Sequence, residues 1–217
     1  MRFLIPLACA AALSLVAQQS QTVTDSDQVK VLKVEVQPHH KTQMHEHKVN
    51  RVMVYLQPGQ LNFTFEDGRQ TVLNWRAGEA KWSPAAGMHV AEITTNNPVT
   101  IVEIELKKPA QGSKAEQNPL DPVKLDPKHY KVAFENDQVR VLRVKIGAHA
   151  SAPMHVHALN RVVVYLTDQK LRVTTKDGKI QETEHKAGDV AWAGPAQHSE
   201  TNVADQPFDL YAVEVKN

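Results

Sequence analysis

The chain has 217 residues, a formal net charge of +1 and intermixed acidic and basic side chains, so it lacks the basic footprint of a nucleic-acid binder. A hydrophobic share of 41% supports a packed core and argues against global disorder. The length fits one large β domain or two small ones.

Residues 1–17 combine basic Arg2 with an apolar run rich in small residues, and polar Gln18, Gln19, Ser20 and Gln21 follow. The run is short for a membrane span, and the pattern predicts a secretory leader over residues 1–20, cut near Ala17. A retained anchor is the alternative. Export implies a periplasmic or secreted protein that leaves the membrane after cleavage. Cys9, the only cysteine, lies inside the leader, so the mature chain has no disulfide and no thiolate ligand.

Residues 28–36 then alternate apolar and polar side chains at period two, the pattern of a half-buried strand. Residues 138–146 repeat it. The repeat continues through His45-Glu46-His47 and His155-Val156-His157, each entering a β-branched run that starts at Arg51 or Arg161. A constant offset of 110, as from His45 to His155, marks an internal duplication. Hairpin signals Asp67-Gly68 and Asp177-Gly178 follow, then Trp82 and Trp192, then one more histidine in each copy, His89 and His198. Beyond these the offset is 109, as Pro98 and Pro207 show, which predicts a single loop insertion before His89. Final strands are expected over residues 99–106 and 208–215.

The repeat divides the mature chain into a domain over residues 21–108, a proline-bearing linker over 109–128 and a second domain over 129–217. The linker has no apolar periodicity and is expected to be extended on the surface. Short strands with turn signals and no long helical pattern predict an all-β barrel or sandwich for each copy.

The paired histidines, the later histidine and the surrounding glycines and prolines resemble the two motifs of the cupin superfamily. In copy one, Gly78, Pro84 and His89 match much of the second motif; in copy two, Gly188, Pro195, His198 and Asn202 match it with altered spacing. The resemblance implies two tandem double-stranded β-helix (jelly-roll) barrels packed as a pseudo-dimer within one chain. Three departures stand out. His39 and His149 replace the opening glycine, Ile93 replaces the second-motif asparagine in copy one, and the glutamate of the usual metal set is absent from both copies.

On a strand, residues two apart share a face, so Arg51 points with His45 and His47, and Arg161 with His155 and His157. Arginine therefore stands where cupins usually place the glutamate. The resemblance implies that His45, His47 and His89, and likewise His155, His157 and His198, hold a divalent ion (Fe, Mn, Zn or Ni). Arg51 and Arg161 would then clamp a small organic anion. A guanidinium roughly 6 Å from a dication costs about 5 kcal/mol at an effective dielectric of ~20. Zinc sites supply on the order of 10 kcal/mol or more, so binding is expected to survive but to be weaker and to favour a bound anion. The alternative is a metal-free polar pocket.

Tyr55 and Tyr165 share the parity of the histidine pairs and either line the pocket or fill the core. Trp82 and Trp192 are expected as core aromatics. His39 and His149 are expected in turns, where histidine tolerates positive φ, and His40, His129 and His185 at the surface. Asn50 and Asn160 face away from the histidines and are candidates to tie down strand edges. Two functions follow: an oxidoreductase of dioxygenase type acting on a small anion, or a non-catalytic barrel that binds an organic acid or serves as a scaffold. An isomerase or lyase is a third.

Overall fold

A computed structural model describes residues 18–109 and 118–216. Most of the expected leader, residues 1–17, lies outside them. Gln18, Gln19 and Ser20, counted with the leader above, belong to a strand of the first barrel.

The first barrel contains β1 (Gln18–Asp25), β2 (Val29–Val36), β3 (His45–His47), β4 (Arg51–Tyr55), β5 (Gly59–Phe65), β6 (Gln70–Trp75), β7 (Glu79–Ser83), β8 (Ala86–Ile93) and β9 (Val99–Leu106). They form two antiparallel sheets, ordered β1-β2-β9-β4-β7 and β3-β8-β5-β6. The second barrel repeats the plan with β10 (Tyr130–Glu135), β11 (Val139–Ile146), β12 (Ser151–His157), β13 (Arg161–Tyr165), β14 (Gln169–Thr175), β15 (Ile180–His185), β16 (Val190–Ala193), β17 (Ala196–Asn202) and β18 (Phe208–Val215). Its sheets run β10-β11-β18-β13-β16 and β12-β17-β14-β15. The tandem jelly-roll expectation is met.

The central strands are buried on both faces, which explains their unbroken apolar runs. In β4, Arg51, Met53 and Tyr55 face the barrel interior, while Val52 and Val54 join a core shared with the second barrel. That shared core also takes Val29, Val31, Val102 and Ile104 from the first barrel and Val139, Val141, Val162, Val164 and Val213 from the second. Burying one such side chain is worth roughly 1.5–3 kcal/mol, so the seam holds the two barrels together firmly. Trp82 and Trp192, half-buried, pack against it.

Polar contacts at the seam obey the same two-fold relation. Asn50 Nδ2 donates to Gln138 Oε1 (2.5 Å) and Asn160 Nδ2 to Gln28 Oε1 (2.6 Å). Lys33 Nζ donates to the Gly188 carbonyl (2.8 Å), and Arg143, its counterpart, to the Gly78 carbonyl (3.1 Å). The asparagines thus join one barrel to the other, and Asn50 Oδ1 also accepts from the Ala85 amide (2.8 Å).

Several expectations need correction. The one-residue insertion is a bulge in β8: His45 pairs with His89 and His47 with Ala86, whereas His155 pairs with His198 and His157 with Ala196. The later part of the linker is built into the second barrel. Asp121 caps a short helix, α1 (Pro122–Leu125), with Pro122 in its first turn, where a missing amide costs nothing. The Leu120 carbonyl accepts from the Val156 amide (2.9 Å). His129 is buried, its Nδ1 2.7 Å from Asp126 Oδ2. His185 stacks on Tyr165 with ring centroids 4.0 Å apart, the place Trp75 takes against Tyr55 (4.4 Å). His40, half-buried, lines the first barrel's cavity. His39 and His149 do adopt positive φ, 58° and 56°.

Candidate metal centre and its cavity

Strand pairing brings each histidine set together. Pairing of β3 with β8 places His45, His47 and His89 so that their candidate ligand atoms all lie within 4.8 Å of one another, and pairing of β12 with β17 does the same for His155, His157 and His198. All six predicted ligands are thereby assembled into two triads.

Hydrogen bonds fix which ring nitrogens face inward. His45 Nδ1 donates to the Gln43 carbonyl and His89 Nδ1 to the Gly87 carbonyl, both at 2.8 Å, so their Nε2 atoms keep free lone pairs. His47 Nε2 accepts from Arg51 Nη1 at 3.0 Å and lies 3.2 Å from His45 Nε2. Two unprotonated nitrogens this close repel unless a cation or a proton sits between them. Burial, reinforced by the Arg51 charge, holds the His47 imidazole down at about 3. Burial also lowers His89. Converging ring nitrogens, with the Nδ1 atoms of His45 and His89 anchored, are what a divalent ion requires, so the residues fit a metal.

Arg51 is buried and contacts Glu103 Oε2 (3.2 Å) and Ser83 Oγ (3.0 Å) as well as His47. Its Nε is buried with no partner among the described residues. Burial raises the Glu103 carboxyl above its ordinary range, and the Arg51 charge pulls it back down. Loading an ion on His47 would cost Arg51 one hydrogen bond, while Glu103 and Ser83 still hold it.

The triad opens into a cavity of about 550 Å³ lined by Arg51, Tyr55, Lys81, Glu103 and Glu105 together with apolar Leu32, Val34, Leu61, Phe63, Leu73 and Ile93. Tyr55 is therefore a wall of this cavity, buried by its stack on Trp75.

The second triad sits against a core cluster that includes Tyr130 and Tyr165, with His198 half-buried. His155 and His157 are 1% and 4% exposed. His155 Nδ1 donates to the Pro153 carbonyl (2.8 Å), and His157 Nδ1 lies 2.9 Å from Glu214 Oε1. Burial holds His198 at about 3 and pushes His157 well below the usual imidazole range. Burial raises the Glu214 carboxyl to about 7. Arg161 donates to the Gly194 carbonyl (2.6 Å), and Tyr165 packs in the core with Tyr130, Leu142 and Leu210. Asn202, the second-motif asparagine, is fully buried and donates to the carbonyls of Gly147 (3.0 Å) and Gln206 (2.8 Å), fixing a loop. Ile93 replaces it with cavity wall in the first barrel.

Glu103, Glu105, Glu200, Glu214 and Tyr130 line or approach the triads without having been singled out in the sequence. The carboxylates of β9 and β18 look there like ordinary polar alternation. Only the 110-residue offset, which sets Tyr130 against Ser20, hinted that the two copies differ inside.

No family model matches the chain, and no curated relative matches it in sequence. Among solved structures it is similar to AerE from Microcystis aeruginosa, at 14% identity and a TM-score of 0.68 over 94% of each chain. It is also similar to Bacillus subtilis oxalate decarboxylase, a protein with Mn(II) centres, at 13% identity and a TM-score of 0.62 over 91% of this chain and 72% of that one. At such identities the likeness shows the fold alone, two tandem double-stranded β-helix barrels.

Proposed function

We propose, from a tandem cupin fold carrying two histidine triads, that the first barrel is a metal-dependent enzyme site for an organic anion. The observation that carries this reading is the convergence of His45, His47 and His89 within 4.8 Å beside a cavity of about 550 Å³ that also holds Arg51. The three imidazoles would hold the ion, which when bound supplies Lewis acidity and an open position for a reactant. Arg51, which lines the cavity, binds the carboxylate, and the Leu32, Leu61, Phe63 and Leu73 wall receives an apolar body. A cavity of this size exceeds the needs of a two-carbon diacid. The substrate is thus a carboxylate with an aliphatic or aromatic body, and oxidation by dioxygen is the first reaction class to test. Fe, Mn, Zn and Ni are all suited to imidazole ligands, and the choice among them rests on measurement.

The test is metal per chain in protein purified without chelator or a histidine tag, followed by oxygen uptake with carboxylates of graded size. The expected result is near-stoichiometric metal that falls in both His45→Ala/His47→Ala and His155→Ala/His157→Ala, with turnover lost only in the first. Absence of metal after reconstitution with Fe, Mn, Zn, Ni and Cu would overturn the reading.

The hydrogen bond from Arg51 to His47 Nε2 favours one second reading, a metal-free barrel that binds an organic acid without turnover. Benzoate or hexanoate binding by calorimetry to metal-free protein, lost in Arg51→Met, separates it from the first. Export is also proposed, supported by the basic and apolar start of the sequence. A mature N-terminus far from residue 18 in the exported fraction, or no exported protein, would contradict it.

A further inference from the structure

We propose that the second centre is closed: Tyr130 and Glu200 wall off His155, His157 and His198, so that only the first centre takes a ligand from solution. The inference rests on the metal reading of the triads.

Sheet register identifies the residues that differ. Tyr130 pairs with Val144, and Ser20 pairs with Val34, its counterpart. Glu200 pairs with Val173, and Ala91 with Phe63. Two small side chains beside the open cavity are thus replaced by a tyrosine and a glutamate. Tyr130 is 1% exposed, its ring centroid is 4.9 Å from that of His155, and its hydroxyl lies 3.3 Å from His155 Nε2. That hydroxyl donates to Glu200, closing the ring of polar groups.

The wall is fastened from outside. The Tyr130 amide donates to the Asp126 carbonyl (3.0 Å) at the end of α1. Asp121, which caps α1, binds Arg140 at 2.5 and 3.0 Å; Arg140 reaches Glu214 at 3.6 Å, and Glu214 holds His157. Lys30 and Glu105 occupy the places of Arg140 and Glu214 in the first barrel, where Glu105 lines the open cavity. A centre with its outlet filled by core side chains, and its cover tied to one of its own ligands, suits an ion held for structure.

The experiment uses cobalt(II) as the metal and azide as the probe, read by visible absorption of the full-length protein. His155→Ala/His157→Ala isolates the first centre and His45→Ala/His47→Ala the second. Azide should shift the cobalt bands of the first centre saturably and leave those of the second unchanged. Adding Tyr130→Ser should give the second centre an azide response at least tenfold stronger than its parent. Ser20→Tyr, which fills a cavity and keeps the fold, should abolish the response of the first. Tyr130→Phe should stay closed, because the ring is the wall.

Azide affinities within threefold at the two centres would overturn the inference, as would a Ser20→Tyr protein that still binds azide normally. Absence of cobalt from the second triad alone would also overturn it. Absence from both triads would remove the metal reading itself, which keeps the two failures distinct.

Discussion

The two barrels share a strand order, a histidine triad and an inward arginine, yet one encloses a cavity and the other a core. The first has Ser20, Ala91 and Ile93 where the second has Tyr130, Glu200 and Asn202. Duplication preserved the frame, because the shared seam needs the same valines on both sides. The interiors were free to diverge, since filling a jelly roll or leaving it hollow keeps the strand order, and the register at the triads differs only by the β8 bulge. A conserved triad is therefore compatible with two different uses.

The sharpest way to break this comparison is to truncate the wall. Tyr130→Ala should cost about 3–5 kcal/mol, the usual range for deleting a buried aromatic side chain, while Ser20→Ala should stay within about 0.5 kcal/mol. Urea denaturation of both variants measures the difference. Equal effects would mean that Tyr130 is no more integral to its barrel than Ser20 is to the other.

Acid is the next largest lever, applied to metal-free protein. His157 and His198 are lowered in the folded state, so their contribution is present above about 6.5 and is lost as pH falls toward the folded values, about 3 for His198. Glu214, raised to about 7, acts oppositely: its contribution is complete below about 4.5 and is lost as pH rises through 7. Between 6.5 and 4.5 one histidine is thus offset, so the second barrel should lose stability as pH falls, and lose it faster below 4.5. The first barrel has the same signs in His47, His89 and Glu103, but the Gly87 carbonyl that accepts from His89 Nδ1 partly offsets the lowering there, so the effect should be weaker. Thermal melts of the two single-triad mutants against pH test the ranking.

Arg51→Met should weaken carboxylate binding at least tenfold, about 1.4 kcal/mol, and Arg161→Met should leave it unchanged, because only Arg51 opens on the cavity. Calorimetry with benzoate reads this directly. The smallest effect belongs to the seam. Asn160→Ala removes an inter-barrel hydrogen bond and should cost about 1 kcal/mol, and Asn50→Ala, which also removes the bond from the Ala85 amide, should cost about 2 kcal/mol. Thermal melts of the two variants measure the difference.

Much of this was legible in one sequence. The 110-residue repeat, the alternation in β2 and β11, and the His-x-His pairs entering β-branched strands identify the duplication, the all-β class and four of the triad residues, and the resemblance to the cupin motifs adds His89 and His198. These features are local: period-two patterning and short spacing decide which side chains share a face. The histidine turns at His39 and His149 were readable for the same reason. His185 and His129 were misread because their burial comes from Tyr165 and Asp126 through packing that no periodicity reveals.

The sequence by itself therefore determined two equivalent frames and two equivalent triads. Only the tertiary structure decided which frame is hollow. That outcome depends on what β1 and β10 deliver across the barrel interior to triads held on other strands, serine or tyrosine. Strand pairing tolerates either residue, so the pattern that specifies the sheet carries no record of the space it encloses.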